Sequence, residues 1–423
     1  MSRPNSASPR PPSQGRAGGF TDWLPGAAEA RRAIGDAFVN TFALWGYGLV
    51  ATPLIEPLDT IAAGVGGRNQ SQLFRFMDSD GSLLALVGER TVSVGRVVAT
   101  HLHQGPFPLR LCYSGPVLKN QPLLGGRRRE TMQAGAELIG HAGIDADAEV
   151  IAVAAAAVDQ AGIDGVQIDV GHADFIPGLL AGAGLTDSVQ RQVLDALSAR
   201  DLVAVERALD GTGVGAAERT LLLTFPTLRG GREILDVAGR ELTADRARAA
   251  LDQLGQLWDR LTDFGLEDRI HLDLGAVRDW DYYTGPTFEL FSGDLGFPLG
   301  AGGRYDSLLG RLGVAAPATG FVVFVDRCAD VAARRNAPDR PRVVNVSYAH
   351  GRQAAALAAT QTLRGEGIAA TCALAPGDPG AAPFLHLGDA TTEWSADSRT
   401  TDATAAGRGA LGDGVMTLVE TLR

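Results

Sequence analysis

Of the 38 lysine and arginine residues in this 423-residue chain, one alone is a lysine, Lys119. It lies in the run Leu111-Cys-Tyr-Ser-Gly-Pro-Val-Leu-Lys-Asn-Gln121, shortly before Arg127-Arg-Arg129 and the segment Met132-Gln-Ala-Gly-Ala-Glu-Leu-Ile-Gly140. Arginine grips phosphate or carboxylate through a fixed planar fork, whereas lysine offers a compact ammonium, so the exchange changes how an anion is held. Gln133 and Glu137 are four residues apart in a strand-like segment. Both point to the face carrying Gly135, whose missing side chain leaves room for a ligand.

Other candidate groups read as structural. Asp145, Asp147 and Glu149 alternate like the start of a calcium loop, but the glycine and closing glutamate of that loop are missing. They are expected to be charges at a helix N-terminus. His101 and His103 have no matching Cys or acid cluster and read as loop or surface residues, so no metal is expected. Gly300-Ala-Gly-Gly-Arg304 lacks the Lys-Ser/Thr of a phosphate loop and reads as a turn before a helix. Arg127-Arg-Arg129 is read as an anion or partner contact. Cys112, Cys328 and Cys372 are odd in number and far apart, which points to free thiols in a reducing compartment.

The elements that must position these residues follow from periodicity. Ala27 to Trp45 reads as an amphipathic helix, and Leu49 to Ile55 as a strand broken at Pro53. Leu73 to Met77 and Ser82 to Val87 read as a hairpin, and Arg90 to His103 as a helix. Leu109 to Lys119 and Thr131 to Gly140 read as two antiparallel strands around a charged loop, followed by a helix over Asp147 to Gly162. Strands at 166–170, 271–275, 282–291 and 320–326 enclose a mostly helical insert, 174–264. Residues 1–18 read as a disordered tail and 19–330 as the main domain. Residues 342–423 read as a small α/β domain of βαββα order, eroded by low-complexity Ala, Gly, Thr and Asp between 389 and 412. The fold class expected is α+β.

A net charge of −11 argues against a dedicated nucleic-acid surface. No apolar run reaches the ~18 residues a membrane span needs, and no secretory signal is visible, so a cytoplasmic protein is expected.

Four separated segments share the pattern of one family. They are Gly46-Tyr-Gly-Leu-Val-Ala-Thr-Pro53, Tyr113 to Gly140, Arg278-Asp-Trp-Asp-Tyr-Tyr-Thr-Gly285 with Phe288-Glu289, and Gly302-Gly-Arg-Tyr-Asp306 running to Asp326-Arg327. In order and spacing the chain resembles the catalytic domain of class II aminoacyl-tRNA synthetases, and within them histidyl-tRNA synthetase. The resemblance implies an antiparallel sheet flanked by helices. It also implies a histidine pocket of Glu89, Thr91, Gln133, Glu137, Arg278, Tyr283 and Tyr305. A zwitterion needs acceptors for its ammonium (Glu89, Thr91), a charged donor for its carboxylate (Arg278), and a polar, partly aromatic slot for imidazole (Glu137, Tyr283, Tyr305).

The nucleotide half of the implied site departs from the family. Lys119 stands where an arginine clamps the α-phosphate, and Gln121 where a glutamate orients the nucleotide. Thr131 stands where a phenylalanine stacks on adenine, and Phe324 where a glycine is usual. Arg327 still matches the arginine on the other face of adenine. Amino-acid recognition kept and activation lost is the combination of the ATP phosphoribosyltransferase regulatory subunits, which the sequence is therefore taken to resemble. That resemblance implies no catalytic residues and no cofactor. It implies a hetero-octamer with the short catalytic phosphoribosyltransferase chain, self-association as a dimer, and histidine as feedback effector in histidine biosynthesis. No tRNA or membrane contact is expected, and the small C-terminal domain resembles a shortened anticodon-binding domain. The alternative reading is an active histidine–tRNA ligase.

Overall fold

Ten consecutive residue pairs join the strands Leu109–Leu118 and Glu130–Ile139 in antiparallel register, from Leu109 opposite Ile139 to Leu118 opposite Glu130. In the computed structural model this hairpin organises a nine-stranded sheet. The described residues are 17–123, 127–276, 282–335, 343–378, 383–389, 392–395, 406–409 and 411–422. By contacts the chain divides into two units, 1–338 and 339–423.

The sheet runs, from one edge to the other, through strands 48–49, 109–118, 130–139, 318–324, 300–304, 286–291, 167–172, 270–273 and 229–230. Pairing is antiparallel except for 48–49 with 109–118 and 167–172 with 270–273. The two parallel partners 167–172 and 270–273 are joined through the helical insert, because parallel neighbours require a long crossover. The insert contains helices Phe175–Gly182, Asp187–Ser198, Leu202–Leu209, Ala216–Thr224, Glu233–Glu241 and Asp245–Asp263. It also returns one short strand, Arg229–Gly230, to the sheet edge.

Side chains alternate across strand Glu130–Ile139, as the two-residue period demands. Ala134, Ala136 and Leu138 join the large core with helices Ala27–Leu44 and Ile144–Gln160. Gln133, Gly135 and Glu137 face the other way. A second, smaller core lies on that side, built from Val87, Val92, Tyr113, Tyr282, Tyr305 and Leu309 among others. The first helix is apolar on one stripe because Ile34, Phe38 and Phe42 recur at helical spacing, and Phe38 and Phe42 are fully buried.

Three expectations are corrected. Gly300-Ala-Gly-Gly-Arg304 is not a turn but a strand in the middle of the sheet. Its glycines reflect crowding: a Cβ on Gly302 would lie 2.4 Å from the Gly320 carbonyl oxygen, and one on Gly303 2.6 Å from that of Pro286. Asp147 is not a solvated helix-end charge. It is buried within helix Ile144–Gln160 and accepts from Arg304 Nε at 3.0 Å and Nη2 at 2.8 Å. Within the second unit, the low-complexity stretch supplies two further strands, Thr392–Ser395 and Ala406–Gly409. They extend a five-stranded sheet whose other members are Ala370–Cys372, Val344–Tyr348 and Phe384–Leu387. Helices Gln353–Gly365 and Leu411–Leu422 belong to the same unit, and Ala359, Leu363, Leu418 and Val419 from them share one core with Val346 and Leu385.

Arg304 fastens the sheet to the helix layer. Besides Asp147, its guanidinium donates to the carbonyl oxygens of His141 and Gly143 and to Asp306, so a buried charge is fully engaged. Burial outweighs the Arg304 charge and pushes the Asp147 carboxyl up to about 6. Asp147→Ala strands the guanidinium, and the loss of stability should be about 3–5 kcal/mol. Removing the exposed Arg232–Asp259 pair should cost about 0–1 kcal/mol. Urea unfolding of the two variants checks the contrast.

Candidate ligand site

The carboxyl of Glu137 lies opposite Gly320 in the pairing of strands Glu130–Ile139 and Ala318–Phe324. A Cβ at position 320 would fall 1.7 Å from Glu137 Oε2, so the absence of a side chain there is what admits the carboxyl. Thr91 Oγ1 donates to Glu137 Oε1 at 2.8 Å, and the Tyr305 hydroxyl donates to Oε2. Glu137 is 1% exposed, and burial pushes its pKa up to about 8 despite those two donors.

Glu89 arrives from the turn ahead of helix Thr91–Val97. Its carboxylate accepts from the Val92 amide at 3.3 Å and from the Tyr282 hydroxyl at 3.2 Å. Burial raises its pKa, and the nearby charge of Lys119 opposes that rise. The three tyrosines form one aromatic wall: the Tyr282 ring lies 5.0 Å from Tyr283 and 5.8 Å, edge-on, from Tyr305.

A cavity of about 500 Å³, measured to its open mouth, joins these groups. Of the twelve candidate site residues, Glu89, Thr91, Gln133, Tyr283, Tyr305, Lys119 and Phe324 line it. Glu137 lies behind Thr91 and Tyr305, one hydrogen bond away. Gln133 is 2% exposed, and its Oε1 has no hydrogen-bond partner among the described residues. A buried acceptor of this kind carries a penalty until a donor arrives, which suits a ligand bearing N–H groups. Arg278 lies outside the described residues.

The remaining three candidates are not lining residues. The Gln121 side chain donates to the Arg128 carbonyl at 2.7 Å and closes its own loop. Thr131 sits within the hairpin, opposite Val117. The Arg327 guanidinium is stacked on the Phe324 ring, 4.1 Å from its centroid, and donates to the Pro298 carbonyl. Of the arginine cluster, Arg128 pairs with Asp330 at 3.2 Å and lies over Trp23.

The room expected beside Gly135 belongs to a neighbouring side chain. Tyr113 is paired with Gly135 across the hairpin, and a Cβ on Gly135 would meet its hydroxyl at 2.5 Å. Tyr113 and Tyr282 therefore belong to the site although sequence reasoning omitted them. The available signals were a tyrosine facing a glycine across the hairpin, and the neighbour of Tyr283 in the same motif. Arg90 also lines the cavity, but its guanidinium donates to Thr52 and to the Pro116 carbonyl.

Comparison with known proteins agrees with this geometry. The family profile described as histidyl-tRNA synthetase matches residues 19–328. The ATP phosphoribosyltransferase regulatory subunit of Geobacter sulfurreducens is 42% identical over 304 residues, 72% of this chain and 69% of that protein. The chain belongs to the ATP phosphoribosyltransferase regulatory subunit family. The regulatory subunit of Desulforamulus reducens is 37% identical over 358 residues, covering 84% of this chain and 89% of its own length. A crystal structure described as an ATP phosphoribosyltransferase regulatory subunit/histidyl-tRNA synthetase from Bacillus halodurans superposes with a TM-score of 0.78 at 27% identity. It covers 93% of this chain and 96% of that one. The class II synthetase-like fold expected of this family is thereby established. Among the described residues no helix is long and apolar enough to cross a membrane.

The raised pKa of Glu137 fixes a sign. An unfolded glutamate titrates near about 4.3, so between that value and about 8 the folded chain holds a proton that the unfolded chain has released. This contribution to stability is complete below the unfolded pKa and is lost as pH rises through the window. Glu137→Gln removes it, so any deficit of the variant at pH 5 should shrink by pH 8. Chemical denaturation at both pH values reads the change, and a deficit that grows would contradict the assignment.

Proposed function

We propose that the chain is a non-catalytic regulatory subunit of ATP phosphoribosyltransferase. It activates the short catalytic subunit in the first step of histidine biosynthesis and senses histidine for feedback inhibition. The partner would be assembled into a hetero-octamer, with self-dimerisation of this chain, in the cytoplasm. The names of its relatives support the subunit role. Histidine is assigned to the cavity built from Glu89, Thr91, Gln133, Glu137, Tyr283 and Tyr305, with Arg278 completing it.

One observation carries the non-catalytic reading. Phe324 lines the cavity next to the amino-acid residues, and Arg327 stacks on its ring at 4.1 Å. The resemblance assigns Arg327 to one face of adenine, and that face is already covered by an aromatic side chain of the protein. Lys119 replaces the fork that would hold the α-phosphate, and in-line attack needs tightly positioned charge. The cavity keeps the groups that recognise an amino acid and lacks the arrangement that activates one.

Phosphoribosyl transfer by the short catalytic subunit from the same source should rise on adding this chain, and L-histidine should suppress it. The chain alone should show no histidine-dependent ATP–pyrophosphate exchange; such exchange would instead mark an active histidine–tRNA ligase. In the assembled complex, Glu137→Ala should raise the histidine concentration for half-inhibition at least about tenfold. Unchanged inhibition would remove the pocket assignment.

A further inference from the structure

Two groups of opposite charge, Lys119 and Glu89, face one small cavity. Lys119 follows the end of strand Leu109–Leu118, where its amide donates to the Arg129 carbonyl at 2.7 Å. Its stem runs close to Gly88, where an added Cβ would come 3.8 Å from Lys119 Cγ. Glu89 is the next residue along, so a glycine lets the lysine stem pass beside the carboxylate. The arginines nearby are directed elsewhere. Arg90 is bound to Thr52 and Pro116, Arg128 to Asp330, and Arg129 to the Gln121 carbonyl. Arg327 is held on Phe324.

A positive and a negative group on one wall match a ligand whose ammonium and carboxylate are carried on a single carbon. Gln133 Oε1, buried and without a partner among the described residues, adds an acceptor for the ammonium. Glu137 lies deeper, behind Thr91 and Tyr305, where the side chain of such a ligand would end. We infer that Lys119 reads the α-carboxylate of the bound amino acid, making the site selective for the free acid over the corresponding amine. This inference rests on the histidine pocket proposed above and deepens it, because that assignment gave the carboxylate to Arg278 alone. A lysine is chemically suited to this role. One carboxylate needs one point charge, and the paired donors of an arginine fork are of most use on a phosphate.

Calorimetric titration of the full-length chain with L-histidine and with histamine, the same molecule without its carboxylate, tests this. Wild type should prefer histidine, and Lys119→Met should weaken histidine by about 30-fold while changing histamine far less, so that the preference collapses. Lys119→Arg, which restores a charged donor, should keep most of the preference. A variant that is merely misfolded would lose both ligands together, and circular dichroism of Lys119→Met checks that it folds. If Lys119→Met keeps the wild-type preference and Arg278→Gln abolishes it, the inference is overturned and the pocket stands. If wild type binds neither ligand, the pocket itself is wrong and the inference falls with it.

Discussion

A carboxyl buried against a backbone that has no side chain to offer is the constraint on which this structure turns. Glu137 can occupy its place only because residue 320 is glycine, and it stays there because Thr91 and Tyr305 donate to both of its oxygens. Those two donors come from distant parts of the chain, the helix beginning at Thr91 and the turn after strand Gly300–Arg304. The carboxyl therefore fixes the spacing of three elements at once. An unsatisfied carboxyl here would carry a large desolvation penalty, so the three cannot drift apart independently.

The same need for closeness explains the glycine content of the central strands. Strands 286–291, 300–304 and 318–324 approach so tightly that a methyl group at Gly302 or Gly303 would collide with backbone. Glycine in a strand interior weakens it locally. The surrounding pairing and the Arg304–Asp147 bridge to the helix layer offset that weakness. Strand 300–304 ends in the residue that locks the helix layer, and the next residue, Tyr305, holds Glu137. Structural anchoring and site geometry are thus set by adjacent residues with opposite orientations.

Much of the element order was legible because its signals are local. The first helix has a clear apolar stripe, and the long hairpin is read from its alternation. Strand 300–304 was missed because its composition is that of a turn, and only packing against two neighbours makes glycine the right residue there. The strands 392–395 and 406–409 were missed for a similar reason. They have no apolar run to announce them, and pairing with strand 384–387 and with each other defines them. Tyr113 escaped because its role depends on which residue faces it across the hairpin.

The sequence by itself determined the identity of the chemical groups: two glutamates, a glutamine, a threonine, the tyrosines and a single lysine, in an order and spacing that a family shares. It also carried the substitutions at 119, 121, 131 and 324, since these are matters of residue type. Tertiary structure decided which of them share a space. It placed Lys119 and Phe324 at the cavity and turned Gln121 onto its own loop. It put Arg327 on the Phe324 ring and moved Glu137 behind two hydroxyls. The reason is that residue type fixes charge and hydrogen-bonding capacity, while direction and burial depend on strand register and on where backbone can approach backbone. Lys119 shows the division: the sequence made it the chain's single lysine, and the fold set its ammonium beside Glu89.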